Sequence, residues 1–227
     1  MDLEKMKLTS FLYYMFINPP SNFLKKSKGI IHVGAHIGQE RFLYQYLDLN
    51  VCWIEPIEDN YNQLKKNIDK LDKQNCYREL ISESDKKNIL FNIASNDGKS
   101  SSVLDLKDHI KMWPEVKMNK AINVDGISLP TFIEKHRIDI KNFDSLLLDT
   151  QGYELEILKG AMNIIHKFSY IQVEAADFEA YSGCPTVDDI CKFMNKNKFD
   201  MIQKNKFSEK ENVGNYFDII FINRDKK

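Results

Sequence analysis

The chain has 227 residues, of which 43% are hydrophobic and 29% are charged, enough apolar material for one domain with a buried core. Its 32 basic and 33 acidic side chains leave a formal net charge of −1. This balance excludes a long-range positive field that would draw nucleic acid or an anionic membrane to the protein, although a local basic patch stays open.

The N-terminal segment carries an apolar run, LTSFLYYMFI, which mixed charges precede and NPP follows. The run is too short to span a bilayer, and no small-residue cleavage site follows it. We therefore expect residues 1–28 to form an amphipathic helical lead-in that packs on the domain, with no membrane span.

From residue 29 onward, apolar runs of strand length alternate with helical patterns. Strands are predicted over residues 29–35, 51–56, 76–82, 88–95, 143–150, 170–175, 199–204 and 216–223. Helices are predicted over residues 38–49, 58–71, 129–138, 152–168 and 186–198, with a glycine interruption in the helix over residues 152–168.

Strands separated by helices of this length require right-handed crossovers, which favour a mainly parallel sheet with helices on both faces. The last two strands have no helix between them, so they are predicted to form an antiparallel hairpin. Without an internal repeat or a low-complexity linker, residues 29–227 are interpreted as a single α/β domain.

The four cysteines, at positions 52, 76, 184 and 191, form no C-x-x-C pair, and Cys52 lies inside an apolar strand pattern. This usage favours reduced structural thiols over a disulfide framework or a zinc site. It predicts a cytoplasmic protein without a bound metal.

Two glycines four residues apart follow the first strand in the stretch GAHIG. Gly34 leaves space for a ligand against the backbone, and Gly38 lets the turn close into a helix whose free N–H groups face that space. Glu55 ends the second strand about twenty residues later, the spacing at which an acid reaches the hydroxyls of a nucleoside ribose. The alternative is a surface acid that begins a helix next to Pro56.

The glycine turn differs from a dinucleotide turn, because His36 occupies the middle position of the G-x-G-x-x-G pattern. A ligand without phosphates is therefore favoured over NAD, and S-adenosylmethionine is the candidate. The predicted cofactor contacts are Gly34, Ala35, His36, Gly38, Glu55, Pro56, Ser82 and Asp149.

Five blocks then carry a resemblance: IIHVGAHIGQE, WIEPIEDNYNQLKKNI, LLLDTQGYELEILKGA, IQVEA and AYSGCPTVDDICKFM. Their order and spacing, over roughly residues 29–223, resemble the FkbM-type methyltransferases, with the D-x-x-G-x-E-x-x-x-L-K-G-A block from Asp149 to Ala161 the most specific. The resemblance implies a class I methyltransferase fold with a seven-stranded sheet. It also implies S-adenosylmethionine-dependent methylation of a hydroxyl, often on a sugar, a glycan or a natural product.

The chain departs from that family pattern at three positions, where it has His36 in place of Asn, Gln151 in place of Glu and Leu147 in place of Lys. A mechanism that uses a lysine two residues before Asp149 cannot operate here. Leu147 also removes the easiest route to the Lys-Asp-Lys-Glu arrangement of ribose 2′-O-methyltransferases.

Methyl transfer to an alcohol requires a group that removes the hydroxyl proton. Asp149 and Glu174 both follow apolar strands, so both are candidates at one edge of the sheet, and His36 at the turn is a third. Asp149 could instead hold the methionine amino group or cap the next helix, and His36 could only contact cofactor or backbone. Glu154 is interpreted as a first-turn helix acid.

The acceptor is predicted from two loops. Ser101, Ser102 and Trp113 lie in a serine-rich and aromatic stretch, and Tyr181 lies in the loop after Glu174. An aromatic ring packs well on a pyranose face, so these four are the candidate substrate contacts. The alternatives are a mobile turn for the serines and a core position for Tyr181.

Three hypotheses remain open. The leading one is an enzyme that methylates a sugar, a glycan or a small-molecule hydroxyl. A nucleic-acid methyltransferase is disfavoured by the balanced charge and by Leu147, although four lysines share the 107–120 segment with Trp113. The third is a cofactor-binding subunit without activity. The oligomeric state is not predicted.

Overall fold

The computed structural model describes residues 23–226, so most of the predicted N-terminal lead-in lies outside the described residues. At its end, Leu24–Lys26 forms a short 3-10 turn. Phe23, just before this turn, packs on the ring of Tyr170 with 5.5 Å between ring centroids. This contact fixes the point at which the chain joins the domain.

The described residues contain the following strands and helices, numbered in chain order. The strands are β1 (Gly29–Val33), β2 (Asn50–Ile54), β3 (Gln74–Tyr77), β4 (Leu80–Ile81), β5 (Lys86–Ala94), β6 (Met118–Ile127), β7 (Ser145–Leu148), β8 (Tyr170–Ala176), β9 (Phe199–Lys210) and β10 (Gly214–Asn223). The α-helices are α1 (Arg41–Tyr46), α2 (Glu58–Ile68), α3 (His109–Met112), α4 (Leu129–Lys135), α5 (Glu154–Gly160) and α6 (Val187–Lys196). Further 3-10 turns are Ile140–Asn142, Ile165–Lys167 and Arg224–Lys226.

The main sheet has seven strands in the order β3-β2-β1-β7-β8-β10-β9. Strands β3, β2, β1, β7 and β8 run parallel, whereas β10 is antiparallel to both β8 and β9. The predicted α/β class, with a mainly parallel seven-stranded sheet and an antiparallel closing hairpin, is confirmed. The strand order reverses between β1 and β7, where an open α/β sheet places its ligand site.

Both faces of the central strands β1 and β7 are buried, as continuous apolar strands such as GIIHV require. On one face, Ile31 and Val33 of β1 pack in a core that includes buried residues of α4, α5 and α6. On the other face, Ile30 packs with buried residues of α1 and α2. Within residues 23–226, every helix is too short or too polar to cross a membrane.

Four parallel strands are in level register at their carboxyl edge. Val33 of β1 pairs with Ile54 of β2 and with Leu148 of β7, and Leu148 pairs with Val173 of β8. The residues that follow these four positions therefore come out at the same edge of the sheet.

A second, three-stranded sheet in the order β4-β6-β5 was not predicted. The prediction of one strand over residues 76–82 is wrong, because β3 ends at Tyr77 and β4 pairs with β6 instead of with the main sheet. The prediction missed β6 because its apolar and polar side chains are mixed and all but Gly126 are at least partly exposed, so the strand lacks a clear apolar pattern.

The helix predicted over residues 152–168 is interrupted after its glycine, as predicted, and does not resume as an α-helix. Helix α5 ends at Gly160, and Ile165–Lys167 forms only a 3-10 turn. A Cβ atom at Gly160 would lie 2.2 Å from the carbonyl oxygen of Glu83, so this end of α5 touches the backbone that leads into β5. The helix therefore stops where it meets the second sheet.

We expect Leu146→Ala to lower the free energy of unfolding by about 2–5 kcal/mol, because Leu146 of β7 is fully buried and its loss leaves a cavity. Urea unfolding followed by circular dichroism measures this change. The matched control is Leu90→Ala on β5, where the side chain is 55% exposed, with an expected change within about 0.5 kcal/mol. Equal losses in both variants would contradict the placement of the core.

Candidate functional site

A cavity of about 420 Å³ opens at the carboxyl edge of the main sheet. Its walls come from the turn after β1, the ends of β2, β7 and β8, and the segment from residue 96 to residue 116. The cavity therefore lies where the order of the parallel strands reverses, beside the residues that follow Val33, Ile54, Leu148 and Val173.

The turn after β1 approaches the end of β7 more closely than a side chain would allow. Gly34 has φ +83°, and a Cβ atom there would lie 1.8 Å from the carbonyl oxygen of Asp149. The N–H groups of Gly34 and Ala35 both donate to the carbonyl of Ile54, at 3.0 and 3.1 Å. The turn is thus fixed to β2 on one side and packed on β7 on the other.

Glu55 at the end of β2 is 4% exposed, yet it lines the cavity. Its Oε2 accepts from the backbone N–H of His36 at 2.8 Å, and its Oε1 accepts from the N–H of Ile57 at 2.9 Å. Burial raises the pKa of Glu55 to about 8, although these two hydrogen bonds act in the opposite direction. Each carboxylate oxygen retains a lone pair for a further donor, as the hydroxyls of a ribose would supply.

Asp149 and Glu174 lie side by side at the ends of β7 and β8, and both line the cavity. The side-chain amide of Gln151 bridges them, since its Nε2 donates to Asp149 Oδ1 at 2.8 Å and to Glu174 Oε1 at 2.9 Å. Burial raises the pKa of Asp149 to about 6. Burial and the neighbouring Asp149 raise the pKa of Glu174 well above its ordinary value.

The loop between β7 and α5 is held in place by Glu154, which begins α5 as predicted for a first-turn acid. Its Oε1 accepts from the N–H groups of Thr150 and Gly152, at 2.7 and 3.2 Å. Burial raises the pKa of Glu154 to about 7. This carboxyl therefore shapes the loop that carries Gln151, a role that its position in the sequence did not reveal.

An aromatic cluster, formed by His109, Trp113, Tyr181 and Tyr216, lies beside the carboxylates. The ring of His109 is 4.6 Å from Trp113 and 5.2 Å from Tyr181, and Trp113 is 5.2 Å from Tyr216, between centroids. His109 Nδ1 contacts the Tyr216 hydroxyl at 2.7 Å. Burial lowers the pKa of His109 to about 4, so its imidazole is neutral at pH 7.

His36 uses both of its ring nitrogens within the protein. Nε2 donates to the carbonyl of Asp97 at 2.9 Å, and Nδ1 accepts from the amide of Gln39 at 3.0 Å. This geometry leaves neither ring nitrogen free for a hydroxyl proton, and it supports the alternative in which His36 contacts the backbone. The ring joins the turn after β1 to the turn after β5.

Most of the predicted site residues are brought together by the fold. The cavity is lined by Gly34, Ala35, His36, Glu55, Pro56, Ser101, Trp113, Asp149 and Glu174. Four others lie outside its lining: Gly38, Ser82, Ser102 and Tyr181.

Each residue outside the lining has a structural contact that explains its place. Ser82 is fully buried directly after β4, and its hydroxyl donates to the carbonyl of Ser84 at 2.6 Å. Gly38 faces Leu64 of α2. The Ser102 hydroxyl donates to the backbone carbonyl of Gln151 at 2.8 Å, and the Tyr181 hydroxyl donates to its side-chain oxygen at 2.8 Å.

The sequence predictions missed three residues of the site: Gln151, His109 and Tyr216. Gln151 was noticed only as a departure from a family pattern. His109 lies four residues before Trp113, a spacing that places the two on one helical face and could have indicated it. Tyr216 occupies a strand position that resembles any core tyrosine, so the sequence gives no signal for it.

Comparison with known proteins gives one family and one curated relative. Residues 32–201 match the family described as Methyltransferase FkbM domain. The 2-O-methyltransferase NoeI of Sinorhizobium fredii (strain NBRC 101917 / NGR234) is 24% identical over 162 residues, which are 68% of this chain and 65% of NoeI. The chain thus spans about 65% of the length of this relative.

Two solved structures share the fold. M. capricolum TrmK, in complex with S-adenosyl-homocysteine, has a TM-score of 0.51 at 13% identity over 90% of this chain and 67% of TrmK. The magnesium protoporphyrin IX methyltransferase of Synechocystis PCC 6803, with bound S-adenosyl-homocysteine, has a TM-score of 0.50 at 7% identity over 96% of this chain and 83% of that enzyme. At these identities the likeness shows the fold alone.

We expect Gly34→Ala to destabilise the protein by more than about 2 kcal/mol, because the new Cβ would meet the backbone of Asp149 as well as forcing a positive φ. Gly38→Ala is the matched comparison, since Gly38 has φ +70° but faces only the flexible Leu64 side chain. The free energy of unfolding of Gly38→Ala should fall by only about 1 kcal/mol. Thermal unfolding of the two variants tests this, and equal losses would refute the close approach.

Proposed function

The chain belongs to the FkbM methyltransferase family, and on this premise we propose that it transfers a methyl group from S-adenosylmethionine to a hydroxyl of a sugar, a glycan or a small metabolite. The observation that carries the proposal is a single cavity lined by Glu55 and by the Asp149 and Glu174 carboxyls. Glu55 suits the ribose hydroxyls of a nucleoside, and Asp149 and Glu174 offer acceptors for a hydroxyl proton. NoeI, the curated relative, is described as a 2-O-methyltransferase, which supports oxygen as the methylated atom.

The cofactor would lie along the turn after β1. Gly34 and Ala35 present backbone instead of bulky side chains there, and Glu55 provides carboxylate oxygens for the ribose hydroxyls. Pro56 and Ile57 add apolar surface beside Glu55. When bound, S-adenosylmethionine supplies a methyl group that its sulfonium has already activated.

The protein has two tasks in such a reaction: to align the hydroxyl of the acceptor and to remove its proton as the new bond forms. Asp149 and Glu174 are suited to the second task, because both line the cavity and both have a pKa raised by burial. A base with a pKa near the working pH is efficient, which favours Asp149 with its pKa of about 6.

The acceptor would contact the aromatic cluster, of which His109, Trp113 and Tyr216 line the cavity. Aromatic faces bind the apolar face of a pyranose. Two of the four lysines in the 107–120 segment are paired with acids, Lys107 with Glu179 and Lys111 with Asp108. These pairs weaken the basic surface that a nucleic-acid substrate would need, so a neutral or weakly charged acceptor is favoured.

The test of this function is methyl incorporation from labelled S-adenosylmethionine into panels of glycans, nucleosides and RNA at two salt concentrations. We expect labelling of a glycan or small hydroxyl compound that changes little with salt. RNA binding through six or more phosphate contacts would instead lose about 10³-fold or more in affinity as salt rises. Salt-sensitive labelling of RNA, with none of any sugar, would overturn the proposal in favour of a nucleic-acid enzyme.

We expect Asp149→Asn or Glu174→Gln to lower turnover by about 10²-fold or more, the usual scale for a lost general base, with the fold retained. The control is Asp188→Asn, the same kind of change on the exposed surface of α6, which should leave turnover unaltered. If both site variants turn over like the parent, the catalytic assignment is wrong. A loss of cofactor affinity in one of them would assign that carboxyl to the methionine moiety.

We expect Glu55→Gln to weaken S-adenosyl-homocysteine binding by about 1–3 kcal/mol, since a neutral amide replaces the acceptor of two backbone N–H groups and of the ribose. Because the pKa of Glu55 is about 8, affinity in the parent should also rise between pH 7 and pH 9 as the carboxyl ionises. Calorimetric titration measures both effects. Glu58→Gln, three residues on and exposed, is the control, and a parent-like affinity in Glu55→Gln would mean that the cofactor lies elsewhere.

A further inference from the structure

The amide of Gln151 occupies an unusual place, because it joins the two carboxyls that the proposed reaction needs. One N–H points to Asp149 and the other to Glu174, at 2.8 and 2.9 Å. Carboxylates offer only acceptors, so the nitrogen of the amide must face them and the oxygen must face away. That oxygen accepts the hydroxyl of Tyr181 at 2.8 Å.

The backbone around Gln151 is fixed as firmly as its side chain. Its carbonyl accepts from the Ser102 hydroxyl at 2.8 Å, and Glu154 holds the N–H groups of the residues on either side. Gln151 has φ +56°, a left-handed conformation that these contacts maintain. The amide is therefore preorganised to donate both N–H groups at once.

We propose that Gln151 is a positioning residue that keeps the Asp149 and Glu174 pair able to accept a proton from the substrate hydroxyl. The inference rests on the proposed function for its catalytic meaning, but the bridge itself is a property of the protein without substrate. A donor that faces both carboxyls favours their ionised oxygens, whereas a third carboxyl at this position would repel them.

In the reaction, the acceptor oxygen forms a bond to the methyl carbon while the carbon–sulfur bond breaks and its electron pair stays on sulfur. The hydroxyl proton passes to a carboxylate oxygen of the pair, so charge and atoms balance without another reactant. Gln151 loses and gains no atom in this step. It holds the receiving carboxylate in place and unprotonated beforehand.

The surroundings of the pair explain why such a donor is needed. The titratable groups that face it from neighbouring elements are Asp218 and Tyr216 of β10, Tyr181 of the loop after β8, Glu154 of α5 and Glu55 of β2. Burial and Asp218 raise the pKa of both carboxyls of the pair, and Glu154 also raises that of Glu174. The Gln151 hydrogen bonds lower the pKa of both, which opposes that effect.

The experiment compares Gln151→Leu, which removes both donors at similar size, with Gln151→Glu, which keeps the size and adds a carboxyl. The matched controls are Gln63→Leu and Gln63→Glu, the same changes on the exposed face of α2. The first readout is a ¹³C NMR titration of carboxyl carbons in protein labelled at Asp and Glu, without cofactor or acceptor. The second is kcat against pH with the acceptor that the panel identifies, together with KM for S-adenosylmethionine.

We expect the apparent pKa values of the pair to rise by about one unit or more in Gln151→Leu and further in Gln151→Glu, with no change in the controls. The acid limb of the kcat profile should move to higher pH by the same amount, so that kcat near pH 6 falls about 10-fold and recovers at alkaline pH. The KM for S-adenosylmethionine should stay constant.

Unchanged carboxyl titrations in both Gln151 variants would overturn the proposal, and so would a loss of kcat that is equal at every pH, which is the mark of a merely structural role. If Gln151→Leu does not fold, Gln151→Glu decides the question alone. If no acceptor is methylated by the parent, the proposed function fails, while the NMR titration still decides whether Gln151 sets the ionisation of the pair.

Discussion

The level register of four parallel strands determines most of what this protein can do. Val33 pairs with Ile54 and Leu148, and Leu148 pairs with Val173, so the residues that follow these four positions lie at one height along the sheet. A slip of one residue in any pairing would turn the following side chain to the opposite face. Gly34 and the three acids Glu55, Asp149 and Glu174 therefore lie close together because backbone hydrogen bonds fix the positions of the strands relative to one another. The apolar packing on both faces of the sheet maintains that register, which links the core directly to the site.

Some of this arrangement follows from the sequence, because it depends on local patterns. The strand ends at Gly34, Glu55, Asp149 and Glu174 were predictable, since each closes a continuous apolar run and the alternation of strands and helices implies a parallel sheet. All parallel strands of such a sheet have their carboxyl ends at the same edge, so the predictions could place these residues together without any knowledge of distances.

Other features depend on contacts between distant parts of the chain, which no local pattern records. Strand β6 has few buried side chains, so its pairing with β4 and β5 leaves no apolar signature. Ser82 was predicted as a cofactor contact, but β4 pairs with β6 outside the main sheet, and Ser82 does not line the cavity. Tyr181 and Ser102 support Gln151 from positions 30 and 49 residues away in the chain, and only the folded structure reveals those contacts.

The buried acids of the site also change how the whole protein responds to pH. Glu55, Asp149, Glu154 and Glu174 all have a pKa raised by burial, so the folded protein binds protons that the unfolded chain releases at pH values above about 4. The contribution of these four groups to folding stability must then fall as pH rises through this range, up to the folded pKa of about 8 for Glu55, because they hold protons in the folded state that the unfolded chain has released. For these four groups the sign is the reverse of ordinary acid unfolding. The same four acids that equip the cavity for proton transfer therefore keep protons in the native state at pH values where the unfolded chain has lost them.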